Sequence, residues 1–428
     1  MQQRHFPRLW STDFDRAESG SGGGCSRLIR RLDRPKESHP CAASKTRKQG
    51  GCMDGRGAAE VSTDRPSRLQ EFTDEVFGHL IRADQRRWAF TYLDGLARVP
   101  GKKSIERMAR AVTSSPTAAH GMRQFVNGSP WEWTPARRAL GNFVVDRADP
   151  IAWVVRTCAI PKRGTHSVGV RRWPVDTGRA LNCQVAVVLF LSTATVSIPI
   201  DWRLLLDDDW CHDARRQRAR IPATVRPKPV RAHILDFVDS TIAHTNGVAR
   251  PLIANLPSSD ATALIPHLAE RAQPFIVEIP TARPERWLIP HGRQIVTLPG
   301  RPGTSRHSVR TTTVSVPRQT GTPSSATRPY RLIEDHTARG RRARVWITDL
   351  VRQPTDEAMS LISRYDHSDI ALAELRDDFG MFDFEGRSYP GWHHHMTLVS
   401  GAYTFSRIAD TSREMAIAGD FATARQLS

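Results

Sequence analysis

The segment 153–170 reads WVVRTCAIPKRGTHSVGV. It holds an apolar strand, a Pro-Lys-Arg-Gly turn and a second strand-like stretch from His166. Lys162 and Arg163 put two cations in the turn after a buried strand, where they can meet phosphate. A strand ending at a polar turn is where α/β proteins place their chemistry. Cys158 has no histidine near it in sequence to activate a thiol. Asp207, Asp208 and Asp209 stand in a row ahead of Trp210; three carboxylates can gather a cation, and a solvated loop has the same composition. His393, His394 and His395 invite a metal reading. Neighbours on a helix point about 100° apart, however, so three in succession cannot face one ion.

The elements that position these residues change character along the chain. Residues 1–52 carry eleven Lys/Arg against five Asp/Glu, with Gly-Ser runs and no apolar periodicity. Such a stretch cannot offset its ordering entropy. It reads as a basic arm, a disordered segment, or an over-extended reading frame with the true start at Met53. From residue 66 the pattern is helical: Leu69, Phe72, Val76, Phe77 and Leu80 fall on one face. Ser104 suits an N-cap for IERMARAV. Pro135 suits the first turn of a helix that follows the break at Asn127-Gly128-Ser129-Pro130. From 151 the pattern turns to α/β. Strands are expected over 152–159, 166–171, 182–190 and 195–205. A helix (230–244), a strand (252–255), a helix (262–271) and a strand (274–279) follow. Residues 281–345 are rich in Arg, Pro, Thr and Gly, as in a β-rich insertion or long loop. Helices are expected over 357–378 and again from 391, the latter burying Met396, Leu398, Val399 and Phe405.

Three strands followed by helix–strand–helix–strand is the order of an RNase H-like α/β core. The reading is therefore a mixed-sheet RNase H-like core with an N-terminal helical domain and a β-rich insertion. Its parts are a basic segment (1–65), a helical domain that either grips DNA or only packs (66–148), the first part of the core (149–280), the insertion (281–345), the rest of the core (346–410) and a tail (411–428).

The formal charge is +18 over 428 residues. That balance does not suit a typical metabolic enzyme and favours a polyanion, most often nucleic acid. Six cysteines, at 25, 41, 52, 158, 183 and 211, form no CxxC pair, which argues against a zinc ribbon and a disulfide framework. The N-terminus lacks an apolar h-region, and the run 185–200 is interrupted by Ser192, Thr193 and Thr195 and too short to span a bilayer. A cytoplasmic, nucleoid-associated protein without a membrane partner is expected.

In order and spacing, FVNGSPWEW, WVV…PKRGTHSVGV, NCQVAV, IDWRLLL, FEGRS and GWHHH resemble the DDE-type insertion-sequence transposases of bacteria, whose core is the DDE superfamily endonuclease domain. The resemblance covers roughly residues 70–405. It implies a cut-and-transfer reaction on double-stranded DNA at element ends, run by a synaptic homodimer. Three carboxylates on an RNase H-like sheet would hold two Mg²⁺, which favour hard anionic oxygens. This chain departs from that pattern. The family's pair of aspartates aligns with Arg156 and Thr157, and its second carboxylate position carries Asn255. Its glutamate aligns with Asp369, one methylene shorter and the one metal ligand left. A family lysine aligns with Arg376 and an arginine with Tyr365. The match also makes His394 a structural or DNA-facing residue. Together with Lys162 and Arg163, these are the candidate DNA contacts. The expectation is a transposase-derived DNA-binding protein with an eroded site. Alternatives are an active Mg²⁺-dependent enzyme using Glu374 or Glu385 as substitute carboxylates, and a recruited protein that reuses the cleft without DNA.

Overall fold

Val185 to Leu191 is apolar and Ile198 to Trp202 is apolar but for Asp201, and they pair as a hairpin of β3 (Ala180–Ser192) and β4 (Ser197–Leu204). Its turn is closed by Thr193, whose Oγ1 accepts from the amides of Thr195 (3.2 Å) and Val196 (3.0 Å). The polar residues that interrupt the apolar run are thus the turn itself. The computed structural model describes residues 57–174, 180–245, 249–256, 258–279, 289–298, 307–315, 328–335 and 344–409. The expectations for the N-terminal arm, Met53, Cys25, Cys41, Cys52 and the tail from 411 lie outside these.

On the other side of β3 lies β1 (Ala152–Pro161), antiparallel, and beyond it β5 (Leu252–Asn255) and β6 (Phe275–Ile279), both parallel to β1. The order β4-β3-β1-β5-β6, three antiparallel strands and then two parallel ones, is an RNase H-like core. The parallel strands are buried on both faces and read as unbroken apolar runs. The β-rich insertion continues this sheet. β10 (Arg344–Thr348) pairs with β6, followed outward by β9 (Pro329–Asp335), β8 (His307–Ser315) and β7 (Ile289–Leu298), giving a sheet of ten strands among the described residues. The short strand β2 (Arg171–Pro174) joins the start of β3.

Two local expectations are corrected. Residues 166–170 form a turn, and the strand starts only at Arg171. Gly169 adopts φ +73°, and a Cβ there would lie 2.9 Å from the Leu204 side chain, so the chain bends closely past β4. The helix expected over 230–244 stops at Phe237 and widens into a π-type turn, in which the Ala243 amide reaches back to the Val238 carbonyl (3.1 Å).

Among the described residues five helices precede the sheet: α1 (Gly57–Phe77), α2 (Ala83–Arg98), α3 (Ile105–Val112), α4 (Ala118–Asn127) and α5 (Trp133–Arg147). Ser104 caps α3 as its sequence suggests, accepting from the Arg107 amide. Between β4 and β6 come α6 (Asp208–Cys211), α7 (Asp213–Ala219), α8 (Val230–Phe237) and α9 (Ser258–Glu270). After β10 come α10 (Thr355–Asp377) and α11 (Tyr389–Thr404). α11 is capped by Ser388, and from Gly391 to Thr404 every side is buried. Helices α2, α4 and α5 and strand β4 enclose it. The N-terminal helices and the sheet therefore share one hydrophobic core.

Candidate active-site cleft

Register decides which side chains meet. Val155 on β1 stands opposite Ala254 on β5, and Asn255 stands opposite Glu278 on β6. One step further along β1, Arg156 comes beside Asn255. In parallel strands, residues in register share a face. Arg156, Asn255 and Glu278 therefore form a row across three neighbouring strands, on the face that α10 crosses.

Arg156 is 1% exposed. Its guanidinium lies 3.8 Å from the centre of the Tyr365 ring, donates to the Tyr365 carbonyl (3.0 Å) and forms an ion pair with the carboxylate of Asp369. Asn255 donates from Nδ2 to Glu278 Oε2 (2.8 Å). Glu278 is also held by Arg344 in a two-pronged pair, Nε to Oε1 at 2.9 Å and Nη2 to Oε2 at 2.8 Å. The remaining arm of Arg344 donates to Asp366, at 2.8 and 3.0 Å. Such forked pairs are the strong ones. Burial opposes the charge on Arg344, yet Glu278 and Asp366 outweigh it and raise its pKa. Burial pushes the Tyr365 phenol up to about 12. Three carboxylates thus reach the cleft, each against a guanidinium.

With this geometry in view, one comparison is decisive: the profile described as DDE superfamily endonuclease matches residues 75–344. The chain belongs to the DDE superfamily endonuclease family. No curated protein matches it.

DDE superfamily enzymes generally use divalent metal ions. The donor set here does not fit a metal pair. A divalent ion of this kind needs several carboxylate oxygens turned toward one point. In this cleft Arg156 fills the space between β1 and Asp369, and the oxygens of Glu278 and Asp366 are turned to Arg344. Among the described residues, no three His, Cys, Asp or Glu side chains group as metal ligands.

The other sequence candidates fall as follows. Thr157 follows Arg156 on β1, so strand alternation turns it to the opposite face; Arg156 is the residue that meets Asp369. Lys162 donates Nζ to the Phe384 carbonyl (2.9 Å), and burial pulls it down to about 8 against the opposing charges of Asp383 and Glu385. It is a structural pin between two loops. Arg163, next to it, is exposed. Arg376 is occupied by its neighbour Asp377 (2.7 Å). Tyr365 is buried under Arg156 and presents no face to DNA.

Of the two readings of His394, structural or DNA-facing, the DNA-facing one is corrected: the residue lies in the core. It is 1% exposed, its ring stacks on Trp131 at 4.0 Å, and its nitrogens meet the carbonyls of Val126 and Trp131, each at 2.8 Å. Burial lowers its pKa to about 4, against the pull of those carbonyls and aided by Arg137 and Arg220. His393 stacks on Trp133 and accepts from Arg137; His395 bonds Tyr92 and the Gly380 carbonyl. The three rings bond three different sets of partners, although Trp133 touches both His393 and His394.

Glu374 and Glu385 do not substitute in the cleft. Glu374 holds Tyr403 (2.7 Å) and Arg407 (2.8 Å), and Glu385 faces Lys102. Asp207 caps α6 through the Trp210 amide and pairs with Arg171. Burial pushes the Cys158 thiol up to about 12, which removes it as a nucleophile. Sequence reasoning missed Glu278, Arg344 and Asp366. A glutamate inside the apolar strand FIVEI was the available signal, because a buried carboxylate requires a partner.

Proposed function

We propose that this chain is a transposase-derived DNA-binding protein whose DDE site no longer supports normal strand transfer. The observation that carries the reading is Arg156: a buried guanidinium paired with Asp369, at a position where the family places an aspartate. Phosphodiester transfer by this family depends on metal-bound oxygens in line with the scissile bond. Losing that metal pair removes many powers of ten in rate. Family membership and a charge of +18 support duplex DNA as the partner.

The deciding experiment incubates the full chain with labelled linear and supercoiled DNA in Mg²⁺ or Mn²⁺. The expected outcome is salt-dependent binding without nicking. Metal-dependent cleavage that disappears in Asp369→Ala would overturn the reading. One observation favours that second reading, an active enzyme: Glu278, Asp366 and Asp369 all reach the same cleft. It requires both arginines to swing away, so Arg156→Ala would then raise the cleavage rate.

A further inference from the structure

We propose that the phosphate backbone of duplex DNA is held on a basic rim beyond the cleft, formed by the turn after β1, the loop before α11 and helix α7. The inference rests on the DNA-binding reading above. These three segments are pinned to one another. The Val168 amide donates to the Arg387 carbonyl (3.1 Å), and Ser167 Oγ to the Gly386 carbonyl (3.3 Å). Arg220, directly after α7, donates to Ser388 Oγ (2.8 Å) and to the Asn127 carbonyl. The indole of Trp210 donates to the Val170 carbonyl (3.1 Å) and carries Arg215 over its ring.

On this frame Arg163, Arg172, Arg218 and Arg387 are exposed, and among the described residues none of them is in an ion pair. The acids of the same stretch are mostly taken. Asp207 pairs with Arg171, Asp209 lies 4.0 Å from Arg215, Glu385 faces Lys102, and Asp383 accepts from the Lys103 amide. Asp208, in the first turn of α6, is exposed and in no ion pair among the described residues. The unpaired charge of the rim is therefore mainly positive, and it sits on segments hydrogen-bonded to one another.

Position strengthens the point. β1 and β5 run parallel, so the turn after β1 lies at the same carboxyl edge as Asn255. Pro161 lies five steps beyond Arg156 on β1, about 17 Å of strand. A duplex repeats about every 34 Å, so one crossing the cleft meets the rim within half a turn.

The test is fluorescence anisotropy of a labelled 30-base-pair duplex with the full chain across a salt series. Arg163→Ala, Arg218→Ala and Arg387→Ala are combined in one variant. Phosphate contacts change log K against log salt by about 0.9 each, so the slope should flatten by roughly 2–3, and equally for unrelated sequences. A control variant removes three exposed arginines outside both the rim and the helical domain: Arg271→Ala, Arg328→Ala and Arg352→Ala. It should keep the wild-type slope. An unchanged slope in the rim variant, or equal flattening in both variants, overturns the rim and leaves DNA binding standing. No binding by the wild type at low salt overturns both. Thermal melts of both variants check that folding is intact.

Discussion

Arg156 and Arg344 sit among Asp369, Glu278 and Asp366, and the balance is sensitive to losing one partner. Removing a carboxylate from a buried pair leaves an uncompensated charge, at about 3–5 kcal/mol in fully buried cases. Glu278 is buried and bonded to both Arg344 and Asn255. Glu278→Leu is expected to cost about 3 kcal/mol, read by urea denaturation. Asp369 is 46% exposed on its side chain, and Arg156 keeps the Tyr365 carbonyl. Asp369→Ala is therefore expected to cost only about 1 kcal/mol. A larger loss there would mean that the pair is screened less than its exposure implies. The reverse change is equally informative. With Arg156→Asp and Asn255→Asp together, Asp369 would gain two acidic neighbours on the same face. That variant should melt at a higher temperature when Mn²⁺ is added, whereas the wild type should melt alike in Mn²⁺ and in EDTA. A wild-type shift would contradict the account of the cleft given above.

At the scale of elements, α11 is the helix on which the others close. A helix buried on all sides can hold histidines only as neutral rings. Burial lowers His393 well below its ordinary value, His394 to about 4 and His395 to about 3. In the unfolded chain each ring takes up a proton near pH 6.5, which the folded chain resists. The stability from these rings is thus complete above pH 6.5 and declines as pH falls toward 4. For His394 and His395, linkage gives a loss on the order of 1–2 kcal/mol each at pH 5. Denaturation midpoints at pH 7.5 and 5 should show it, and His395→Gln should reduce the difference. A midpoint independent of pH would mean that the rings are accessible. The helix's alignment with GWHHH suggested either a structural or a DNA-facing role, and only the enclosing helices distinguish the two.

For the whole molecule, the sheet and the N-terminal helices form one core, with Arg137 at the junction. From α5 it reaches Asp201 on β4 (2.6 Å), the Trp202 carbonyl (2.9 Å) and Thr397 on α11 (2.8 Å). A fragment spanning 66–148 keeps its helical pattern but loses α11, which fills its apolar interior. It is expected to lack a cooperative melt by circular dichroism, while the chain that includes the sheet and α11 melts in one transition. A cooperative melt of the fragment would show instead that 66–148 folds by itself. No helix among the described residues is long and apolar enough to cross a membrane.

Local pattern was enough to place β1, β5, β6, α10 and the capped start of α3, because periodicity and capping act within one or two turns of chain. The excess of positive charge, the family resemblance and the odd residues at 156, 255 and 369 were equally legible. What sequence left open was pairing. Arg156 finds Asp369 across 213 residues, and Arg344 finds Glu278 across 66. Strand register and the path of α10 over the sheet decide such meetings, and neither is encoded in a local window. The same holds for face: Arg156 and Thr157 are adjacent in sequence, and only the placement of α10 determines that the arginine, rather than the threonine, closes the cleft.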